Sequence, residues 1–522
     1  MKNIARLLCS WSLDVATKRN SLASILSKAV PVAIGILCLG SLPAFAAEDP
    51  SESNPPSVTN PPSPRPVPIA SPPPTAPMPP SPAVPFDPGM HLTPEEGREY
   101  WGRYVTGDWC GLRTLLHNWG VDFNLDYFSE TATNLTGGKD NFSGFPKGAG
   151  QSWAYTDQAL FGLDLDFQKM IGWEGASFEF YVTKRTGDDL SAETNPNTLQ
   201  LIQEVFGRGQ TWRITDFWFK QNLFNDLLEF KLGLLNMSQE FGGFYAFPFE
   251  NLTFTSGITG NVAGYSMFTW PVSQWGTDLQ WNINKCLSLR AGVFAFNNYW
   301  ISSASNSFLR LDNPGGTSGA VIPVELDWKP KLHIFGKDLP GLWVLGAFGN
   351  TNHEETSGAA KSVLAGVPGA ALGSTFTGDY GAYGSIWQQL TAPDPARPKT
   401  GLSAFAGSIW LDPRTAFQDF QVFTGAYYWA PWSKRPYDSC GIATGYNRVA
   451  GNVRDAEQQL IASHPGSGFG VQGNEFVEEI FYSFDVYHGA NIQPDLQYII
   501  NPGGYKSATN IWVFGIQLSV PL

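Results

Sequence analysis

Two-residue alternation dominates the chain from Val121 onward. Val121, Phe123, Leu125 and Tyr127 interleave with Asp122, Asn124 and Asp126, and Phe161, Leu163, Leu165 and Phe167 interleave with Asp164 and Asp166. Successive side chains of a strand point to opposite faces, so each run predicts a strand with one apolar and one polar face. The same pattern sets Phe178, Phe180 and Val182 against Glu179, Tyr181 and Thr183, and Leu228, Phe230, Leu232 and Leu234 against Glu229 and Lys231. It recurs with Leu279, Trp281 and Ile283 against Asp278, Gln280 and Asn282, and with Ile480, Tyr482, Phe484 and Val486 against Glu479, Ser483 and Asp485. Trp512, Phe514, Ile516, Leu518, Val520 and Leu522 share one face at the end of the chain.

The segments before Val121 have other textures. Lys2, Arg6, Lys18, Arg19 and Lys28 precede an apolar run from Ala29 to Leu39 and then Ala44-Phe45-Ala46. That order predicts an export signal over residues 1–46, cleaved after Ala46. Residues 47–92 read as a Pro-rich, disordered periplasmic linker, since 17 of the 39 prolines fall between Pro50 and Pro88. It is either a passive spacer or a tether towards a periplasmic or cell-wall partner. Residues 93–120 predict one or two short helices: Thr93 can cap, Pro94 suits the first turn, and Leu112, Leu115, Leu116 and Trp119 recur at helical spacing before Gly120.

Alternation alone fits a soluble sandwich with its apolar face inside as well as a barrel with that face outside. Export, abundant aromatics and an amphipathic final strand favour the barrel. Residues 121–522 number 402, which over 16 strands allows about 25 residues for each strand and its connection. The expectation is an all-β, transmembrane antiparallel β-barrel of about 16 strands with short N-terminal periplasmic helices. Asn225-Asp226 and Asn284-Lys285 are candidate short turns. Ser302 to Ala320, Thr351 to Tyr380 and Pro436 to Gly473 are candidate long loops, one of them a candidate to fold back and narrow the pore.

Composition supports this picture and removes others. Charged residues are 15% of the chain, against roughly 25% in ordinary soluble domains. With 36 Phe, 19 Trp, 18 Tyr and 55 Gly, strand and turn formers are plentiful. Thirty-three basic against 46 acidic residues give −13, and −17 once residues 1–46 are removed, which disfavours nucleic-acid partners. Cys110, Cys286 and Cys440 lie far apart, without Cys-x-x-Cys spacing, and suggest neither zinc nor redox chemistry. The six histidines show no His-Glu-x-x-His spacing, and neither a Gly-x-Ser-x-Gly elbow nor a P-loop occurs, so no cofactor or metal is expected.

Gly107-Asp108-Trp109-Cys110-Gly111-Leu112-Arg113-Thr114, followed by Gly120-Val121-Asp122, resembles the opening signature of the carbohydrate-selective porins of the OprB family. Lys184-Arg185-Thr186-Gly187 with Leu190-Ser191, Arg213 to Gln221 with Leu223-Phe224, and Gly233-Leu234-Leu235 with Phe241 resemble its later segments. Gln493-Pro494-Asp495-Leu496-Gln497-Tyr498-Ile499-Ile500-Asn501-Pro502-Gly503-Gly504 is the most specific stretch. Cys110, Asp216 and Leu522 stand where the family usually has Gly, Glu and, in many such barrels, a final aromatic. The resemblance implies a 16-stranded outer-membrane barrel passing neutral sugars, surrounded by outer-membrane lipid.

A sugar pore needs aromatic faces for carbon-bound hydrogens and polar groups for hydroxyls, with binding weak enough to permit flux. Parity puts Glu179, Tyr181, Arg185, Asp278, Gln280, Glu479, Phe481, Asp485, Asp495 and Gln497 on the polar face. On the ambiguous strand from Trp212 to Gln221, Asp216, Trp218 and Lys220 are expected inward, with Phe217 and Phe219 outward. Arg213 joins the inner set only through a bulge. The pore-lining candidates are thus Arg185, Asp216, Trp218, Lys220, Arg290, Glu479, Asp495 and Gln497. The alternative for Arg185, Asp216 and Trp218 is a stiffening role in the wall. For Asp495 and Gln497 it is holding the Pro502-Gly503-Gly504 turn. A general porin, a pore for other substrates, or a secreted glycoside hydrolase are the rival functions. The adjacent pairs Glu478/Glu479 and Glu354/Glu355 argue against the hydrolase, because neighbours on a strand face opposite ways.

Overall fold

The computed structural model describes residues 92–522 apart from 141–152, 209, 243–247, 256–266, 298–308, 314–315, 353–355, 358–374, 396 and 466–469. The expected signal and Pro-rich segments therefore lie outside the described residues. Pro94–Trp101 (α1) and Leu112–Asn118 (α2) occupy the stretch with helical spacing. The buried face of α2 is not the leucine stripe but Arg113, Thr114 and His117. The Arg113 guanidinium lies 4.4 Å from the Trp101 and Tyr104 ring centres and 4.7 Å from that of Trp109, and it donates to Phe123 O at 3.0 Å.

Among the described residues sixteen strands form one closed antiparallel barrel: β1 (Val121–Thr136), β2 (Trp153–Asp166), β3 (Ala176–Gly187), β4 (Trp212–Leu223), β5 (Leu228–Leu235), β6 (Gln274–Asn284), β7 (Leu287–Phe296), β8 (Gly319–Trp328), β9 (Lys337–Asn350), β10 (Asp379–Gln389), β11 (Gly401–Leu411), β12 (Gln418–Trp429), β13 (Ser439–Val449), β14 (Asn474–Tyr487), β15 (Ala490–Ile500) and β16 (Ile511–Pro521). β16 returns to β1 with Tyr127 opposite Val520, so the sheet has no free edge. Closure matters in hydrocarbon, where each unpaired backbone group costs several kcal/mol. The N-terminal segment is fastened at this seam, with Val105 N–H donating to Pro521 O at 2.8 Å and Arg103 paired to Asp485 at 2.5 Å.

The apolar parity faces outward. Leu232, Leu345, Ile442 and Ile480 are 53, 67, 59 and 51% exposed on the outer wall, an arrangement that only hydrocarbon explains. On the opposite parity Glu130, Asp216, Gln421, Asn447, Glu475 and Gln497 are fully buried. Both proposed short turns occur, since β4 and β5 are joined across Asn225-Asp226 and β6 and β7 across Lys285.

Two expectations need correction. Pro436 to Gly473 is not one long loop: it contains β13 and the helix Gly451–Ser463. The other two candidate loops, Ser302 to Ala320 and Thr351 to Tyr380, fall outside the described residues at 302–308, 314–315, 353–355 and 358–374. Secondly, the inner wall is not uniformly polar. Phe294, Phe348, Phe405, Phe423, Tyr427 and Phe481 point inward and form one apolar cluster with Phe241, Phe249, Phe254 and Phe268 from the β5–β6 connection. The segments that fold into the barrel are therefore this connection and the β3–β4 connection, whose Leu190, Leu201, Ile202 and Val205 are fully buried. An apolar loop stays inside because its side chains find a second apolar surface there, and each buried large side chain contributes roughly 1.5–3 kcal/mol.

Gly233 shows how tightly the wall is built. It has φ 148°, and a Cβ there would lie 2.3 Å from Phe217 O and 2.6 Å from Trp218 Cα. Gly233→Val is expected to lower barrel stability by about 2–3 kcal/mol, from backbone strain plus overpacking. Urea unfolding in detergent, followed by loss of heat-modifiable migration, checks this.

Candidate functional site

Strand pairing assembles one polar cluster on the inner face of β3–β7. The register sets Glu179 opposite Trp218, Trp218 opposite Gly233, and Lys220 opposite Lys231. Two like charges facing each other across a ladder repel, and the carboxylates around them resolve this. Glu229 lies 3.9 Å from Lys220, 4.0 Å from Lys231 and 3.9 Å from Arg290. Glu240 arrives from the short helix Met237–Glu240 in the β5–β6 connection, and Lys231 Nζ donates to it at 2.7 and 2.9 Å. Arg290 also donates to Glu240, and it reaches Asp278 at 3.0 Å and Gln280 at 3.0 Å. Burial opposes ionisation of Glu240, but Lys231 and Arg290 prevail and hold its carboxyl down at about 2.

The cluster has an aromatic side. Lys231 Nζ sits 4.5 Å from the Trp218 ring centre, and the Arg290 guanidinium 5.9 Å from that of Phe241. The side chains of Lys220, Glu229, Lys231 and Arg290 keep 29, 19, 13 and 12% exposure, so this stretch of wall is wetted. The salt-bridged set contains three cations, Lys220, Lys231 and Arg290, and three anions, Glu229, Glu240 and Asp278.

Of the residues singled out from the sequence, Trp218, Lys220 and Arg290 are brought together here. Asp216 is on the same face, opposite Tyr181, and fully buried. Arg213 also turns inward, because the register steps from Tyr181–Asp216 to Val182–Ile214 and leaves Thr215 as the extra residue of a bulge. Arg185, Glu479, Asp495 and Gln497 lie elsewhere, beneath the infolded connections. Arg185 donates to Gln158 at 2.8 Å. Glu479 accepts from the Glu250 and Asn251 N–H groups at 2.6 and 2.9 Å. Gln497 accepts from Asn251 Nδ2 at 2.9 Å, and donates to Ile202 O at 3.1 Å and to Asp495 at 3.0 Å. The Pro502-Gly503-Gly504 turn is held instead by Glu475, which accepts from Gly503 N–H at 2.8 Å and also from Leu199 N–H at 2.8 Å.

Glu229, Lys231 and Glu240 were not singled out from the sequence. Parity could have found the first two, since both alternate with the apolar residues of β5. Glu240 carried no such signal, because it reaches the cluster on a connection. Glu250 is also brought in by that connection. It is fully buried, and burial together with Glu130, Asp495, Glu479 and Glu204 pushes its carboxyl well above the usual range. Among the described residues no three His, Cys, Asp or Glu side chains converge as metal ligands.

The chain is similar to known proteins over most of its length. A family model described as "Carbohydrate-selective porin, OprB family" matches residues 150–522. Porin B of Pseudomonas aeruginosa is 32% identical over 432 residues, covering 80% of this chain and 90% of that protein. The high-pH structure of Pseudomonas putida OprB superposes with a TM-score of 0.72 at 32% identity, covering 80% of this chain and 98% of that one.

Proposed function

Because the chain belongs to the carbohydrate-selective porins of the OprB family, we propose that the wetted cluster on β4–β7 is where sugars touch the wall of this outer-membrane, sugar-selective porin. Mono- and small oligosaccharides cross by passive diffusion, from the end with the long connections to the end with the N-terminal helices, which we take as periplasmic. The observation that carries this reading is the pairing of fixed charge beside Trp218. Lys220, Lys231 and Arg290 each meet a carboxylate of Glu229, Glu240 or Asp278, which curbs their pull on free ions. They still offer the forked donors and acceptors that suit vicinal hydroxyls. Trp218, 8% exposed, adds an apolar face for the ring.

A channel also fits better than a hydrolase. Glu479 is buried inside, whereas Glu478 is exposed and accepts from Thr444 across the outer wall at 2.9 Å, so the pair cannot flank one glycosidic bond. Glu354 and Glu355 lie outside the described residues.

Liposome swelling tests the proposal. Mono- and disaccharides are expected to enter faster than charged amino acids of matching mass. Equal rates would leave a general pore and remove sugar selectivity. Trp218→Ala should weaken half-saturation by roughly 2- to 10-fold, the range of about 0.5–1.5 kcal/mol for an aromatic face contact, while heat-modifiable migration stays intact.

A further inference from the structure

The β5–β6 connection carries Glu240 and Phe241 to the charged cluster, and directly beyond them one hydrogen bond fastens it to the wall. Gly242 N–H donates to a carboxyl oxygen of Glu325 on β8 at 2.5 Å. The same oxygen accepts from the Tyr383 hydroxyl on β10 at 2.8 Å. Glu325 and Tyr383 are 2 and 3% exposed, so both bonds are shielded from bulk water.

The register shows how Tyr383 reaches Glu325 across an intervening strand. Arg290, Glu325, Gly346 and Tyr383 stand in one row over β7, β8, β9 and β10. Gly346 keeps the row open, because a Cβ there would collide with the Tyr383 ring. The ring lies over Gly346, and its hydroxyl fixes the Glu325 carboxyl from one side. On the other side Arg290 turns its donors to Glu240, Asp278 and Gln280, which leaves the Glu325 carboxyl to anchor Gly242. A buried acceptor of this kind is costly to remove, since its donor is then stranded.

We infer that Glu325 is a positioning residue of the pore: by holding Gly242 it sets Glu240, two residues earlier, between Lys231 and Arg290, and so fixes the charge that the cluster shows to the lumen. That sugars meet this cluster rests on the reading above; that Glu325 holds it in place does not.

Planar-bilayer recordings of Glu325→Gln and Glu325→Ala separate anchoring from charge. Both variants lack the carboxyl, but Gln keeps an oxygen for Gly242 N–H and Ala keeps none. With Glu240 loosened, Lys231 and Arg290 lose a partner and attract anions. The chloride-to-potassium permeability ratio, read from the zero-current potential in a salt gradient, is expected to be roughly 2-fold or more higher in the Ala variant than in the Gln variant. In a Glu240→Gln background the two should coincide, because there is then no Glu240 carboxylate to place. Half-saturation for glucose in liposome swelling should rise in the Ala variant as well. Each variant is first checked for heat-modifiable migration, and Glu325→Met, which fills the volume without offering a comparable acceptor, replaces Ala if that is lost. Equal ratios in Ala and Gln, or a difference that persists without the Glu240 carboxylate, would overturn the positioning role. A raised ratio with unchanged glucose half-saturation would uphold that role and remove the sugar reading of the cluster.

Discussion

Glu479→Ala is expected to widen the passage while leaving the barrel closed. The carboxylate seats the infolded β5–β6 connection by accepting the Glu250 and Asn251 N–H groups. Removing it strands two buried donors, at about 1–3 kcal/mol each. β14 keeps its ladder to β13 and β15, which is made by backbone groups. The connection is loosened rather than expelled, because Phe249, Leu252 and Phe254 remain in the inner apolar cluster or beside it. Single-channel conductance and the upper size of permeating sugar should both rise, and the unfolding free energy from urea titration should fall by about 2–6 kcal/mol. Glu478→Ala, one residue along on the outer face, should change neither. Identical conductance in the two variants would show that the connection is not held at this point.

Leu345→Arg carries the second large effect. Leu345 is 67% exposed, and on a water-facing surface such a change would stay within about 0.5 kcal/mol. Facing hydrocarbon near mid-wall it should cost about 2–4 kcal/mol. The measurement is reversible folding into phospholipid vesicles against folding into small, water-rich detergent micelles, with the penalty confined to the bilayer. A penalty absent from both would invert the assignment of faces.

Parity made much of this legible. The two-residue pattern gives the strands, the outward face, two of the short turns, and the inward set Asp216, Trp218 and Lys220. Even the bulge that admits Arg213 follows from its position among residues of the wrong parity. What escaped is carried by contacts distant in sequence. Glu250 and Glu479, or Leu199 and Glu475, meet only because the connections fold inward, and nothing in the local pattern records that choice. Leu190, Ile202, Phe249 and Phe254 are apolar at positions that periodicity reads as connection; Phe249 and Phe254 are buried in one cluster with Phe405 and Phe481, inward aromatics that break the expectation of a polar lining, and Leu190 and Ile202 in another with Ala132, Ala154, Ile499, Ile511 and Val513. Glu240 escaped for the same reason as Glu250, although it completes the charged cluster.

The seam between β1 and β16 governs the order of assembly. Fifteen of the sixteen rungs join strands adjacent in the chain and can zip as local hairpins, whereas this one must bring together opposite ends of the domain. Its loop-closure entropy is not repaid until the last strand arrives. A half-zipped cylinder therefore persists with two raw edges, and its lifetime is set by that single long-distance encounter. Linking the two ends covalently and cutting the chain at the Asn225-Asp226 turn would move the slow encounter there without altering the finished wall.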